Sequence, residues 1–535
     1  MLKRILIFFI IIVFGIFIGI FRIYYWSFNG NFRAVSVNNS SYNLKVGSCR
    51  GNIYDCNKNP LVNESFEQYC VVFPSIDVCN SLSEILSQEE LLAQVENLNS
   101  GKPFCVKIGK EINISSKKGL RIFKIPRRYS ENKKQIAPHV IGYLNSAGEG
   151  VCAIEKSFDN YLKKCTGEIN INYKKDALGK IFSNNLLKIN DFTYKHRGGV
   201  VLTIDKKIQR IVHEIAKEKI KKGAIIVASV KNFEIKSLVS MPEYDPNKVA
   251  QSINEKDSPF LNRALQSYNA GSVFKLVTSM ALLENNIEGL ENYNCEASIV
   301  VGDSCFHCAR CRAHGIQNLK EALSNSCNTY FINFIKTIEP EKFYNFCKNL
   351  GFGEKIKLAE DVVSEKGYLP SPEELKDPNE MAHISFGQGK LMVTPLQILS
   401  LINTIANNGE YSRPMLVLGL VNHELKFLEK FKLPAKRRVI SKKTADEIKK
   451  GMILCTESGT GSLGKVESVK VCAKTSTAQT GIKTNVKNVL QGWFAGFFPA
   501  ENPKYSVLVM LEDVESGGAD CGPIFKEIIE KIIKL

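Results

Sequence analysis

Ser272 and Lys275 open a long apolar run in AGSVFKLVTSMALLE (270–284). Three residues apart on a helix is one face. A serine hydroxyl attacks a carbonyl only when a neighbouring base takes its proton. Lys275 is the only charged residue between Arg263 and Glu284, and burial lowers a lysine's pKa towards the range that a base needs. A helix start also points backbone N–H groups at a developing oxyanion. Alone, the Ser-x-x-Lys pattern is short, and a packed lysine stem with its head reaching solvent explains it more readily.

Two other stretches carry matching chemistry. EALSNSCNTYF (321–331) interrupts a helical pattern with a polar loop holding Ser326-x-Asn328, and VKVCAKTSTAQTG (469–481) reads as a strand ending in Lys474-Thr475-Ser476-Thr477. Each triplet alone suits an ordinary polar turn or strand end. Together they offer hydroxyl, amine and amide groups from three elements to one cleft.

The chain also holds sixteen cysteines. VGDSCFHCARCRAHG (301–315) spaces Cys305, Cys308, Cys311 and His314 three residues apart, and such C-x2-C pairs occur in zinc sites. Zinc motifs usually join two separated pairs, so disulfides, free thiols and a metal site stay open as alternatives. Cys327 reads as a small buried packing residue, with an oxidant-sensing thiol as the other choice.

The elements that must position these groups follow from periodicity. RGGVVLTIDKKIQRIVHEIAKEKI (197–220) is a β-run meeting Asp205 as helix cap, with Ile208, Ile211, Val212 and Ile215 on one helical face. GAIIVASVKNFEIKSLVSMPEYDPN (223–247) reads as two strands turning at Lys231-Asn232. Strand patterns return at 491–498 and 504–511, and IFKEIIEKIIKL forms a last amphipathic helix. Helical patterns fill the interval. Strands at both ends with helices between them predict an α+β domain around one antiparallel sheet. No repeat module is expected after the last helix.

Composition agrees with an exported protein. Lys+Arg number 71 against 54 Asp+Glu, a formal charge of +17. The lysines are scattered, without the aromatic-interleaved stripe of a nucleic-acid binder, so no nucleic-acid partner is expected. Solvated lysines facing anionic membrane or wall polymers suit the pattern. At the N-terminus Lys3 and Arg4 precede an apolar run from Ile5 to Phe21, followed by Tyr24, Tyr25 and Trp26. Charge, apolar run and aromatic edge match a spanning helix, and no small-x-small cleavage site follows. The expectation is an uncleaved single-pass anchor in the cell membrane, with the rest of the chain extracytoplasmic.

The three motifs, in this order and with their flanks, resemble the penicillin-binding transpeptidases. The flanks are NRALQSYNAGSVFK (262–275), His314-Gly315, SFGQGKLMVTPLQ (385–397), ESGTGSLG (457–464) and GWFAGFFPA (492–500). RGNIYDCNKNPL (50–61), RRYSENKKQIAPHVIGY (127–143) and GEGVCAIEKSFDNYL (148–162) resemble the class B branch. The resemblance implies an anchor at 1–26, a β-rich pedestal at 27–196 without a glycosyltransferase, and at 197–535 a transpeptidase domain of serine β-lactamase-like α+β fold. It implies a peptidoglycan D,D-transpeptidase that cross-links stem peptides ending in D-Ala-D-Ala, needs no cofactor, is acylated by β-lactam antibiotics, and works beside a membrane glycan polymerase. It further implies Ser272 as nucleophile, Lys275 as base and Ser326 as proton relay. By the same resemblance Asn328 is expected to bind the donor amide, and Lys474 and Thr475 to hold the terminal carboxylate. It implies the N–H groups of Ser272 and Thr477 as the oxyanion hole. A carboxypeptidase, a serine β-lactamase or β-lactam sensor, and a non-catalytic scaffold are the rival readings. The family often carries a cysteine before its His-Gly and another near Cys295.

Four positions depart from the pattern, the first being Ala473 in place of the glycine that usually precedes the third motif. Ser476 stands where the family usually has glycine, and is expected to narrow the groove or donate a hydroxyl to the ligand. Cys56 replaces a usual arginine, and Cys165 lacks its usual preceding glycine.

Overall fold

A computed structural model describes residues 2–28, 41–109, 116–117, 119–131, 135–176, 178–182, 188–483 and 488–535. Residues 132–134 of the 127–143 stretch therefore lie outside the described residues. The chain forms two compact units: residues 1–50, 63–128 and 165–197 make the first, and 51–62, 129–164 and 198–535 the second.

In the first unit, Leu2–Phe28 is a single 27-residue apolar helix with no buried residue. By length and composition it is long and apolar enough to cross a membrane. The remainder is β-rich. Ser41–Cys49, Gly167–Lys174 and Lys188–Asp191 form an antiparallel sheet, and Ser65–Val72 pairs between Phe104–Ile108 and Leu120–Arg127 in another. Strand alternation is plain in Gly167–Lys174, where Ile169, Ile171 and Tyr173 are buried and their neighbours are not. These side chains pack with Val46, Val71 and Ile125.

The second unit is built on five antiparallel strands in the order Ile235–Met241, Gly223–Ser229, Tyr505–Glu512, Asn488–Phe498, Cys472–Lys483. The 223–241 strand pair adjoins the C-terminal strands, so residues near 225 sit beside residues near 508. Alternate residues supply two cores: Val507, Val509 and Leu511 face one side, Leu508 and Met510 the other. The first side is covered by Lys206–Lys219, capped by the Asp205 carboxylate on the Lys207 and Ile208 amides, and by Gly522–Ile533. The opposite side is covered by helices that include Lys275–Glu284, Asn328–Ile335 and Pro395–Ala406. The architecture is the expected α+β one, an antiparallel sheet flanked by helices.

Two features differ from the sequence reading. Gly199–Leu202 does not join the central sheet. It lies between Asn52–Tyr54, which it pairs in parallel, and Val417–Val421, a strand in the interval read as helical. The 51–62 and 129–164 stretches, which precede residue 197 in the chain, belong to the second unit because Ile53, Leu61, Val140, Ile154 and Leu162 join its core. Parallel pairing between distant strands leaves no period-2 signature linking them, which is why this interleaving was not legible.

Phe525 fixes the C-terminal helix to the sheet. It is fully buried, with its ring centroid 4.6 Å from that of Phe494. Phe525→Ala is expected to destabilise the second unit by about 3–5 kcal/mol in chemical denaturation, the cost of a large aromatic cavity. A loss under about 1 kcal/mol would mean that the helix does not depend on this contact.

Candidate active site

Ser272 lies in a 3₁₀ turn, Gly271–Phe274, that leads directly into the Lys275–Glu284 helix. Residues three apart eclipse on such a turn, so the serine stacks over the start of the helix that carries Lys275. Ser272 is partly exposed and Lys275 is fully buried. Gly271 holds φ +56°, and its N–H donates to the Gly387 carbonyl at 2.7 Å. A Cβ on Gly387 would come within 2.1 Å of the Gly271 oxygen, so the SFGQG stretch is a close backbone support for the serine turn.

The polar break in EALSNSCNTYF separates Leu319–Ser324 from Asn328–Ile335. Ser326 occupies the break at φ +55°, a strained conformation for a serine that its surroundings must enforce. Lys275 Nζ donates to the Ser326 carbonyl at 2.6 Å, to its Oγ at 3.2 Å and to Asn328 Oδ1 at 2.6 Å. Lys474, fully buried in the Cys472–Lys483 strand, donates to the same Ser326 Oγ at 3.1 Å. Asn328 Nδ2 donates to the His307 carbonyl at 2.8 Å, which fixes its amide orientation. Serine, two amines and an amide from three sequence-distant elements thus converge. Burial, with the Lys474 charge second, holds Lys275 down to about 7, and burial also lowers Lys474.

The four residues of Lys-Thr-Ser-Thr alternate across their strand. Thr475 Oγ1 bonds Thr460 Oγ1 at 3.0 Å, and Thr477 Oγ1 accepts from the Gly517 amide at 2.9 Å. Ser476 is buried and donates to the Ala270 carbonyl at 2.9 Å. Its hydroxyl is therefore directed at the backbone of the serine turn. Thr460, from ESGTGSLG, was not singled out. It joins Thr475 to the Ser324 carbonyl (3.3 Å), a tie only tertiary structure reveals.

The cysteines regroup. Cys308 and His314 do meet, but with Cys295 and Cys327, while Cys305 and Cys311 are exposed and outside the group. The Ser298–Val301/Ser304–His307 hairpin carries Cys305 outward, so the uniform spacing did not translate into one cluster.

Residues 223–530 match the penicillin-binding protein transpeptidase domain. Those residues hold the five-stranded sheet and all three motifs; the chain belongs to that family of transpeptidase domains. Among its relatives is stage V sporulation protein D of Bacillus subtilis, 27% identical over 91% of this chain and 78% of that one. The peptidoglycan D,D-transpeptidase FtsI of Buchnera aphidicola subsp. Schizaphis graminum is also 27% identical, over 85% of this chain and 79% of its own. Penicillin-binding protein 3 of Mycobacterium tuberculosis, solved with aztreonam, superposes with a TM-score of 0.67 at 20% identity, covering 92% of this chain and 97% of that one. Penicillin-binding protein 2 of Helicobacter pylori, solved in complex with MreC, gives 0.67 at 23% identity, covering 93% and 99%.

Two outcomes follow from the geometry. Ser476→Gly leaves the buried Ala270 carbonyl without its donor, a cost of about 1–3 kcal/mol. It should slow acylation of the serine by different β-lactams by a common factor; a change confined to some of them would instead place Ser476 at the ligand. If Lys275 is the base, it must lose its proton first, and acylation should then rise with pH to a plateau above about 7, by roughly tenfold per unit below it. A flat profile between about pH 6 and 8 would contradict a titrating amine at the serine.

Proposed function

We propose that the chain is a membrane-anchored peptidoglycan D,D-transpeptidase with Ser272 as its nucleophile. The observation that carries this reading is the meeting of Lys275 Nζ and Lys474 Nζ at Ser326 Oγ, at 3.2 and 3.1 Å, beside the serine turn. The family membership and the transpeptidase names of its relatives support the reaction class.

In the proposed reaction, Ser272 Oγ attacks the carbonyl of the penultimate D-alanine of a stem peptide as Lys275 takes the hydroxyl proton. The C–N bond to the terminal D-alanine breaks, and the proton reaches the leaving amine through Ser326, which both amines touch. The amine of a second stem then attacks the ester, gives up a proton along the same route and restores the serine. Asn328, already held by His307 and Lys275, orients the donor amide. Lys474 and Thr475 receive the terminal carboxylate, with Ser476 and Thr477 completing the strand edge. Ser272 and Thr477 amides supply the oxyanion hole. A β-lactam enters by the same attack and stalls as the ester.

The Leu2–Phe28 helix supports an anchor, with the β-rich first unit as pedestal outside the cytoplasm. The complex of the Helicobacter pylori relative with MreC supports a place in a wall-synthesis assembly, in which we propose a membrane glycan polymerase as partner.

A fluorescent penicillin should label the full-length protein on Ser272, located by peptide mass mapping, and Ser272→Ala should abolish the label. A label at another residue, or an undiminished one in the variant, would overturn the assignment.

A further inference from the structure

We propose that Cys295, Cys308, His314 and Cys327 bind one zinc ion, as a closed structural site that clamps the Ser326–Asn328 loop. The four donor atoms lie within 4.8 Å of one another. Cys295 Sγ to Cys308 Sγ and Cys308 Sγ to Cys327 Sγ are both 3.7 Å, and Cys295 Sγ to His314 Nδ1 is 3.3 Å. Zinc–thiolate bonds of about 2.3 Å at tetrahedral angles put neighbouring sulfurs roughly 3.8 Å apart, so the two sulfur edges already have the length that the ion requires. A disulfide needs about 2.05 Å and could use only two of the three thiols.

The donors come from four places in the chain and are preorganised. Cys295 ends a short strand, Tyr293–Cys295, that pairs with Gly315–Gln317, so that Cys295 faces Gly315 and stands beside His314. Cys308 follows the Ser298–His307 hairpin, with its amide held by the Ala297 carbonyl at 2.8 Å. Cys327 caps the Asn328–Ile335 helix, its sulfur accepting from the Tyr330 amide at 3.4 Å, which fixes the direction of the sulfur. Thr329 Oγ1 lies 3.2, 3.3 and 3.7 Å from the sulfurs of Cys295, Cys327 and Cys308, as an outer-shell hydroxyl would. The three cysteines are nearly inaccessible to solvent. Three thiolates and an imidazole are a soft, four-coordinate set with no position left open, which fits a structural ion and not one that activates water.

The location gives the ion its consequence. Cys327 lies between Ser326 and Asn328, and Cys308 follows His307, whose carbonyl holds the Asn328 amide. One metal therefore fixes both sides of the Asn328–His307 bond and the strained Ser326 backbone behind the two lysines.

The test is metal analysis of the full-length protein in detergent, purified anaerobically with zinc supplied, together with its cobalt derivative. The site predicts about one zinc per chain, and thiolate-to-cobalt charge-transfer bands with tetrahedral d–d bands. Cys305→Ser/Cys311→Ser should keep the ion, and Cys295→Ser and His314→Ala should lose most of it. The wild-type cobalt spectrum decides the ligand type even where a ligand variant does not fold. Protein without zinc, cobalt without thiolate bands, loss of zinc in Cys305→Ser/Cys311→Ser, or a disulfide among Cys295, Cys308 and Cys327 would overturn the site. The clamp also rests on the transpeptidase reading: stripping zinc should slow penicillin acylation about tenfold or more, reversibly, and an unchanged rate would overturn the clamp. Metal stoichiometry is read without any acylation, so a protein that binds zinc but never reacts with penicillin would contradict the transpeptidase reading and leave the site standing.

Discussion

Two lysine amines buried against one serine hydroxyl set the constraint on which the second unit depends. Removing an ammonium from water is costly unless it is hydrogen-bonded or gives up its proton. Lys275 meets this with three oxygen acceptors, and Lys474 with two. Their mutual repulsion then adds to desolvation in lowering Lys275. A lysine brought down to about 7 beside a hydroxyl is a product of this enclosure and not of lysine chemistry alone.

The enclosure needs elements far apart in sequence to hold position to a fraction of an ångström. The central sheet does this for Lys474, since the strand that carries it pairs with Asn488–Phe498 and that strand with Tyr505–Glu512, both packed on two cores. The serine turn is tied to the sheet by Ser476 on Ala270 and to the Gly387 backbone by Gly271. Ser326 is held in a left-handed conformation between two helices, where the break in apolar periodicity supplies the polar loop. Each tie crosses between elements, so the site is a property of the whole packed unit.

Much of this was legible. A cation in an apolar helix, a polar loop between helical turns and a lysine at a strand end each suit an ordinary element alone; only their order and flanks, through the family resemblance, singled out Ser272, Lys275, Ser326, Asn328 and Lys474. The strands at 223–241 and 491–511 were legible from alternation and turn residues. The direction of the Ser476 side chain was not, because strand parity says which face a residue takes but not what that face meets. Nor was the cysteine grouping, since a hairpin sent Cys305 to solvent and brought Cys295 and Cys327 to Cys308. The parallel pairing of Asn52–Tyr54 with Gly199–Leu202 joins residues nearly 150 apart by no local signal.

The most direct test of the central claim is formation of cross-linked product from two differently labelled stem peptides, one a D-Ala-D-Ala donor and one an amine acceptor, by the full-length wild type and by folded Lys275→Met. The account predicts a dimer joined through the donor's penultimate D-alanine in the wild type, and a loss of at least about a hundredfold in the variant, the scale of general-base catalysis. A dimer formed by Lys275→Met at the wild-type rate would contradict the claim that the buried amine makes the serine reactive.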